Sequence, residues 1–155
     1  MTHEKRFAVV QLPELKWPTS VQLSGSHFRL FVAADISNFS NNAVSEFASA
    51  ALGSGMVYFC AWGRECERFH DIVDDLVVED SFGKRRFVGP TPNDTVITTW
   101  HDHESLDEAL DFFTTSALPT EGFAAASSFR LVICVSNPEW SDTATRVLQS
   151  TEFFI

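Results

Sequence analysis

An alternation of short apolar runs with longer stretches of helical periodicity, repeated four times, constrains this chain more than any other feature. The runs occupy residues 28–34, 56–62, 95–100 and 129–135. They have the length of buried strands and fall short of the roughly 10–12 residues that a helix takes. After each run the apolar residues change spacing: Val44, Phe47, Ala48, Ala51 and Leu52 follow the first, and Phe69, Ile72, Val73, Leu76 and Val77 the second. Leu106, Ala109, Leu110, Phe113 and Ala117 follow the third, and Trp140, Ala144, Val147 and Leu148 the fourth. Each set lies on one face of a helix. Strands separated by helices cannot pair as hairpins and need crossover connections, which are right-handed and lay helices against the sheet. The expected fold is α/β, a three-layer Rossmann-like sandwich with a mainly parallel sheet of four strands alternating with four helices.

Local signals place the element ends. Ser40 is a candidate N-cap, with Phe39 and Val44 spaced as a hydrophobic staple, and Gly53 or Gly55 stops that helix. Ser105 with Glu108 forms a capping box, and Asn137-Pro138 supplies an N-cap followed by a proline in the first helical turn. Residues 1–26 form an N-terminal extension in which Phe7-Ala8-Val9-Val10 can add an edge strand, and residues 27–155 form the βα body. The 155 residues suit one domain with one core.

Composition narrows the function classes. A formal net charge of −10 argues against nucleic-acid binding, which needs concentrated Lys and Arg, and favours solubility or a basic partner. Fifteen Phe residues exceed what one core needs and leave material for an apolar partner surface or a homodimer contact. Cys60, Cys66 and Cys134 form an odd set without framework spacing, as expected of reduced thiols in a cytoplasmic protein. Pro13, Glu14 and Lys16 interrupt any leader-like run, and Gly53-Ser54-Gly55 divides the longest uncharged stretch, so neither a signal peptide nor a membrane span is expected.

In a parallel sheet, Asp35, Trp62, Gly63, Trp100, His103 and Asn137 fall at the carboxyl ends of strands, where open α/β sheets bind ligands, and they form the candidate ligand-binding set. Cys66, in the first turn of the second helix, is the candidate nucleophile, because free amides and the macrodipole there favour a thiolate. His70 lies one turn later on the same side, and His101 with Asp102 can approach from the next strand; these four are the candidate catalytic residues. Asp71 turns toward solvent. Cys66, His70, His101 and His103 could also converge on zinc, but they lack the paired spacings of a zinc motif, and no metal or cofactor is assigned. The loop at 81–90 gathers Lys84, Arg85 and Arg86 and belongs at the opposite edge. The tail Phe153-Phe154-Ile155 is apolar enough to dock on the body.

The order W-G-x-x-C-E-x-x-H-D at 62–71, followed by T-W-H-D-x-E-x-L-x-E-A-L at 99–110, resembles a small, functionally uncharacterised bacterial α/β domain family. The resemblance carries no established activity. Acidity, small size and the lack of a complete catalytic motif lead to an expected function as a small acidic bacterial protein-binding module, of neutralising (immunity-type) or regulatory kind. The alternative is a Cys/His-dependent enzyme or small-ligand sensor with its site at the carboxyl-terminal edge of the sheet.

Overall fold

The structure, a computed structural model, describes residues 6–21, 23, 26–83, 93–124 and 127–152. Residues 84–90 of the basic loop and the apolar tail 153–155 lie outside the described residues. The elements run β1 (Phe7–Leu12), β2 (Phe28–Ala33), α1 (Asn41–Gly53), β3 (Met56–Trp62), α2 (Cys66–Phe82), β4 (Ile97–His101), α3 (Leu106–Thr115), α4 (Glu121–Ala124), β5 (Phe129–Val135) and α5 (Pro138–Glu152). The capping signals act as read: Ser40 Oγ accepts from the Ala43 N–H, Ser105 Oγ from Glu108 and Asn137 Oδ1 from Glu139. The one-turn α4 is an addition to the four helices read from periodicity, and four residues are too few to show a period. β4 starts later than the apolar run and reaches His101, because its pairing with β3 extends from Tyr58↔Ile97 to Trp62↔His101.

The five strands form one sheet in the order β1-β5-β2-β3-β4, and every pair is parallel. The amino-terminal segment is thus an edge strand, paired with β5 from Phe7↔Arg130 to Leu12↔Val135. The buried side chains of α1 and α2 pack on one face with Leu15 and Trp17 of the β1–β2 connection. Those of α3 and α5 pack on the other. Every step toward β4 therefore crosses the first face and the return from β4 to β5 crosses the second, which gives all crossovers one hand, as right-twisted strands require. Within β2, Phe28, Leu30 and Val32 enter the first core and Phe31 and Ala33 the second. That is the pattern of a strand buried on both faces.

Arg29 is the charged exception inside β2. Its Nε donates to Ser127 O at 2.9 Å and its Nη1 to Ala117 O at 3.1 Å, while Arg130, its register neighbour on β5, donates to Thr114 O at 3.2 Å. The two guanidinium groups hold the carboxyl end of α3, where carbonyls without helical partners and the dipole favour cations. Burial, then repulsion from Arg130, lowers the Arg29 pKa.

Three buried acids register the same packing. Burial is the largest cause that pushes the Cys60 thiol up to about 12, Cys134 to about 11 and the Tyr58 phenol to about 12, from ordinary values of 9.0 for a thiol and 10.0 for a phenol. The folded chain keeps these protons where the unfolded chain has lost them. Their contribution is intact below the ordinary values and is lost as pH rises, at about 1.4 kcal/mol per pH unit per group. Urea unfolding at intervals from pH 8 to 11 should show stability falling above pH 9, with a shallower fall in Cys60→Ala; an unchanged slope in that variant would contradict the assignment.

Candidate functional site

Local backbone geometry builds the carboxyl-terminal edge of the sheet. Strand pairing continues into the loops, with the Ala34 N–H donating to Trp62 O at 3.0 Å, Ile36 to Arg64 O at 3.3 Å and Ser136 to Leu12 O at 2.7 Å. Gly63 adopts φ +117°, and a Cβ there would collide with Ala34 O, so the approach of these two loops requires glycine. Glu65 and Ser136, each placed just past a strand end, have φ of 62° and 67°. Arg68 on α2 ties the loop after β2, donating to Ile36 O at 2.6 Å, Phe39 O at 3.1 Å and Asn41 Oδ1 at 2.6 Å. In that loop the hydroxyl and N–H of Ser37 both donate to Asp35 Oδ1, and these two bonds hold the exposed Asp35 carboxyl below its usual range.

The two polar clusters read from the sequence meet at the α2–β4 corner. His70 lies against Trp100, ring centroids 4.4 Å apart, and its Nδ1 is 2.9 Å from Asp71 Oδ1. The Trp62 indole donates to Glu104 O at 2.9 Å. Cys66 sits beneath, within influence of the His101 N–H and the Asp102 carboxylate. Strand alternation decides which side chains face each other. Trp100 projects toward α2, whereas His101 projects toward α3 and packs on Phe112 at 4.9 Å. His70 consequently meets Trp100 and not His101. His103 is almost fully exposed, 3.5 Å from Asp102. Asn137 caps α5 at the far side of β2.

His101 has partners that the sequence reading missed. Both carboxylate oxygens of Glu104 lie 3.1 Å from Nδ1, and Nδ1 carries the proton because a carboxylate only accepts. The Thr99 hydroxyl lies 3.0 Å from Nε2 and 3.4 Å from the Cys60 sulfur. Spacing held a signal here, since Thr99 and His101 at i, i+2 on a strand share a face. Trp140, which meets Trp62 at 5.2 Å with planes 89° apart, had none, because their contact depends on strand order.

Cys66 is 2% exposed and belongs to the Phe69/Val73 stripe. Burial is the main cause that raises its pKa, Asp102 adds to it, and the nearby N–H groups of His101, Cys66 and Gly63 only partly offset it. The direction is opposite to the one that makes a thiolate nucleophile. Among the described residues, no three His, Cys, Asp or Glu side chains are placed to hold a metal ion. No described helix is long and apolar enough to cross a membrane. A cavity of about 540 Å³ lies at the other edge of the sheet, where β2 and β3 begin.

A family model spans residues 7–151. The chain belongs to DUF7684, a domain of unknown function. The match extends the resemblance seen at 62–71 and 99–110 to nearly the whole chain. No curated protein and no solved structure matched it. The corner in this DUF7684 domain therefore has to be read from its own chemistry. It presents an exposed indole, 41% accessible, on an edge strand beside an acidic helix, a histidine held by a carboxylate on the opposite face of that strand, and a buried thiol whose pKa is raised.

Two measurements check this geometry. Gly63→Ala should lower stability by about 1–3 kcal/mol in thermal or urea unfolding, the cost of a side chain in a disfavoured backbone region; a neutral change would contradict the Gly63–Ala34 approach. Alkylation by iodoacetamide, mapped by mass spectrometry across pH 7 to 10, should label native Cys66 more slowly than free cysteine throughout. Faster labelling at pH 7 would identify an activated thiolate.

Proposed function

We propose that this DUF7684 domain is an acidic protein-binding module of regulatory or neutralising kind, and that its α2–β4 corner receives a basic partner. The observation that carries this reading is Trp100, an indole 41% exposed on an edge strand, stacked on His70 and flanked on α2 by the Asp71 and Asp74 carboxylates that His70 and Thr98 engage. The exposed side of α2 continues the surface. Asp71, Asp75, Val78 and Phe82 recur at three- and four-residue spacing, with Val78 49% and Phe82 87% exposed. Asp74 accepts from Thr98 of β4 at 3.3 Å, and Asp102 borders the strand end. Apolar anchors, one of them a Trp, inside a charged rim have the composition of a partner surface. Negative charge on both this helix and the whole chain selects a basic partner and speeds its encounter.

The Glu104–His101–Thr99 chain favours a second reading, a Cys/His-dependent enzyme or small-ligand sensor in which Glu104 orients His101 as a base. Cross-linking separates the two. A photo-reactive amino acid at position 100, compared with one at the exposed Leu118, should capture a protein rich in Lys and Arg in the cells that make this chain. With that protein purified, Trp100→Ala should weaken binding by about tenfold or more. Asp71→Lys with Asp75→Lys should weaken it similarly, and added salt should weaken it further. Identical captures from positions 100 and 118, or small-substrate turnover lost in His101→Gln and kept in Trp100→Ala, would overturn the partner reading in favour of the second.

A further inference from the structure

The cavity at the amino-terminal edge belongs to neither reading of the corner, and it has features that packing alone does not explain. Its floor is apolar, made by Leu52, Met56 and Phe123, and its rim carries the Ser49 hydroxyl, the His27 ring and the backbone around Gly53. At about 540 Å³ it falls within the range of small-molecule sites, roughly 300–1,000 Å³.

The two glycines beside it play different parts. Gly55 has φ +107°, and a Cβ there would collide with Ser26 O, so its conformation requires glycine. Gly53 is the last residue of α1 and has no such need. Its φ lies outside the left-handed region, and a Cβ built on it meets nothing within 4 Å. Helix termination does not require it either, because the Ser54 N–H already returns to Ala50 O and Ala51 O, and the Gly55 N–H to Leu52 O. Glycine weakens a helix relative to alanine, and its common use is to let a backbone be approached closely. At position 53 the absence of a side chain leaves open space beside a backbone that lines the cavity.

His27 supplies the second sign. Its Nδ1 is buried without a hydrogen-bond partner among the described residues, and its ring stands edge-on to Phe123, centroids 5.0 Å apart and planes at 69°. A buried unsatisfied nitrogen is costly, and the residue that carries it lines the cavity. Among the described residues of the wall, none is charged. An ion placed there would lose water without gaining a counter-charge from them.

We propose that this cavity binds an uncharged small molecule of one or two fused rings, seated over the Gly53 backbone with a polar edge toward His27 and Ser49. Indole is the neutral probe, and indole-3-acetate and tryptamine carry the same ring with either charge. In NMR titrations of the full chain, indole should shift the amides of Gly53 and Gly55 and the Met56 methyl group saturably. Each charged probe should bind at least tenfold more weakly. Gly53→Leu fills open space without backbone conflict, so it should melt no lower than the parent and bind indole at least tenfold more weakly. Ser49→Trp fills the cavity from the exposed side of α1 and serves if Gly53→Leu fails to fold. The proposal is overturned if no probe gives saturable shifts at these groups, if a folded filling variant binds indole unchanged, or if a charged probe binds as tightly as indole.

Discussion

The placement of β5 is the constraint on which the rest of the structure depends. Among the described residues it is the last strand, yet it lies between β1 and β2 and is the one strand that pairs with β1. Its side chains are shared between the two cores, with Leu131 and Ile133 on one face and Val132 and Cys134 on the other. Until it is in place, β1 has no strand partner among the described residues, and the surface that β1 and β5 together offer to α5 is incomplete. The sheet therefore closes through contacts distant in sequence, which are slow to form because a long loop must be ordered before they form. The near-continuous apolar composition of β5 is what that position demands, since a strand with neighbours on both sides and helices above and below meets little water.

Most of the elements were legible because they are written in local chemistry. Ser40, Ser105 and Asn137 cap their helices, and the apolar periods of α1 and α3 are the faces that become buried. Strand order was not legible, because it depends on pairings between segments whose sequences do not refer to each other. The site divided along the same line. The sequence pattern brought the segments around Cys66 and His101 to one edge, but whether His70 would meet His101 depended on which face of β4 the ring projects from. The strand starts at Ile97 and alternates from there, sending Trp100 to α2 and His101 to α3. Cys66 has backbone N–H groups of His101, Cys66 and Gly63 beside it, but burial outweighs them and raises its pKa, a balance that depends on packing no local pattern records.

The two ends of the sheet differ in kind. At the carboxyl-terminal end Trp62 and Trp140 meet across the end of β2, and the loops are drawn together by Gly63 and Arg68. That end offers a shaped surface. The amino-terminal end keeps an open cavity between α1 and α4, with glycine where a side chain would fit. Ligands in α/β sheets ordinarily occupy the first of these ends. Here a cavity lies at the second.

The paired arginines at the start of β2 and β5 bear on how the molecule opens. Arg29 and Arg130 stand side by side in register, and each is anchored to a carbonyl near the end of α3. If α3 lifted away while the strands stayed paired, each guanidinium would give up the acceptor it holds at the carboxyl end of that helix, Ala117 O for Arg29 and Thr114 O for Arg130. The two arginines therefore couple the carboxyl end of α3 to the register of β2 and β5, so that a disturbance of the helix end reaches the central strands through their side chains.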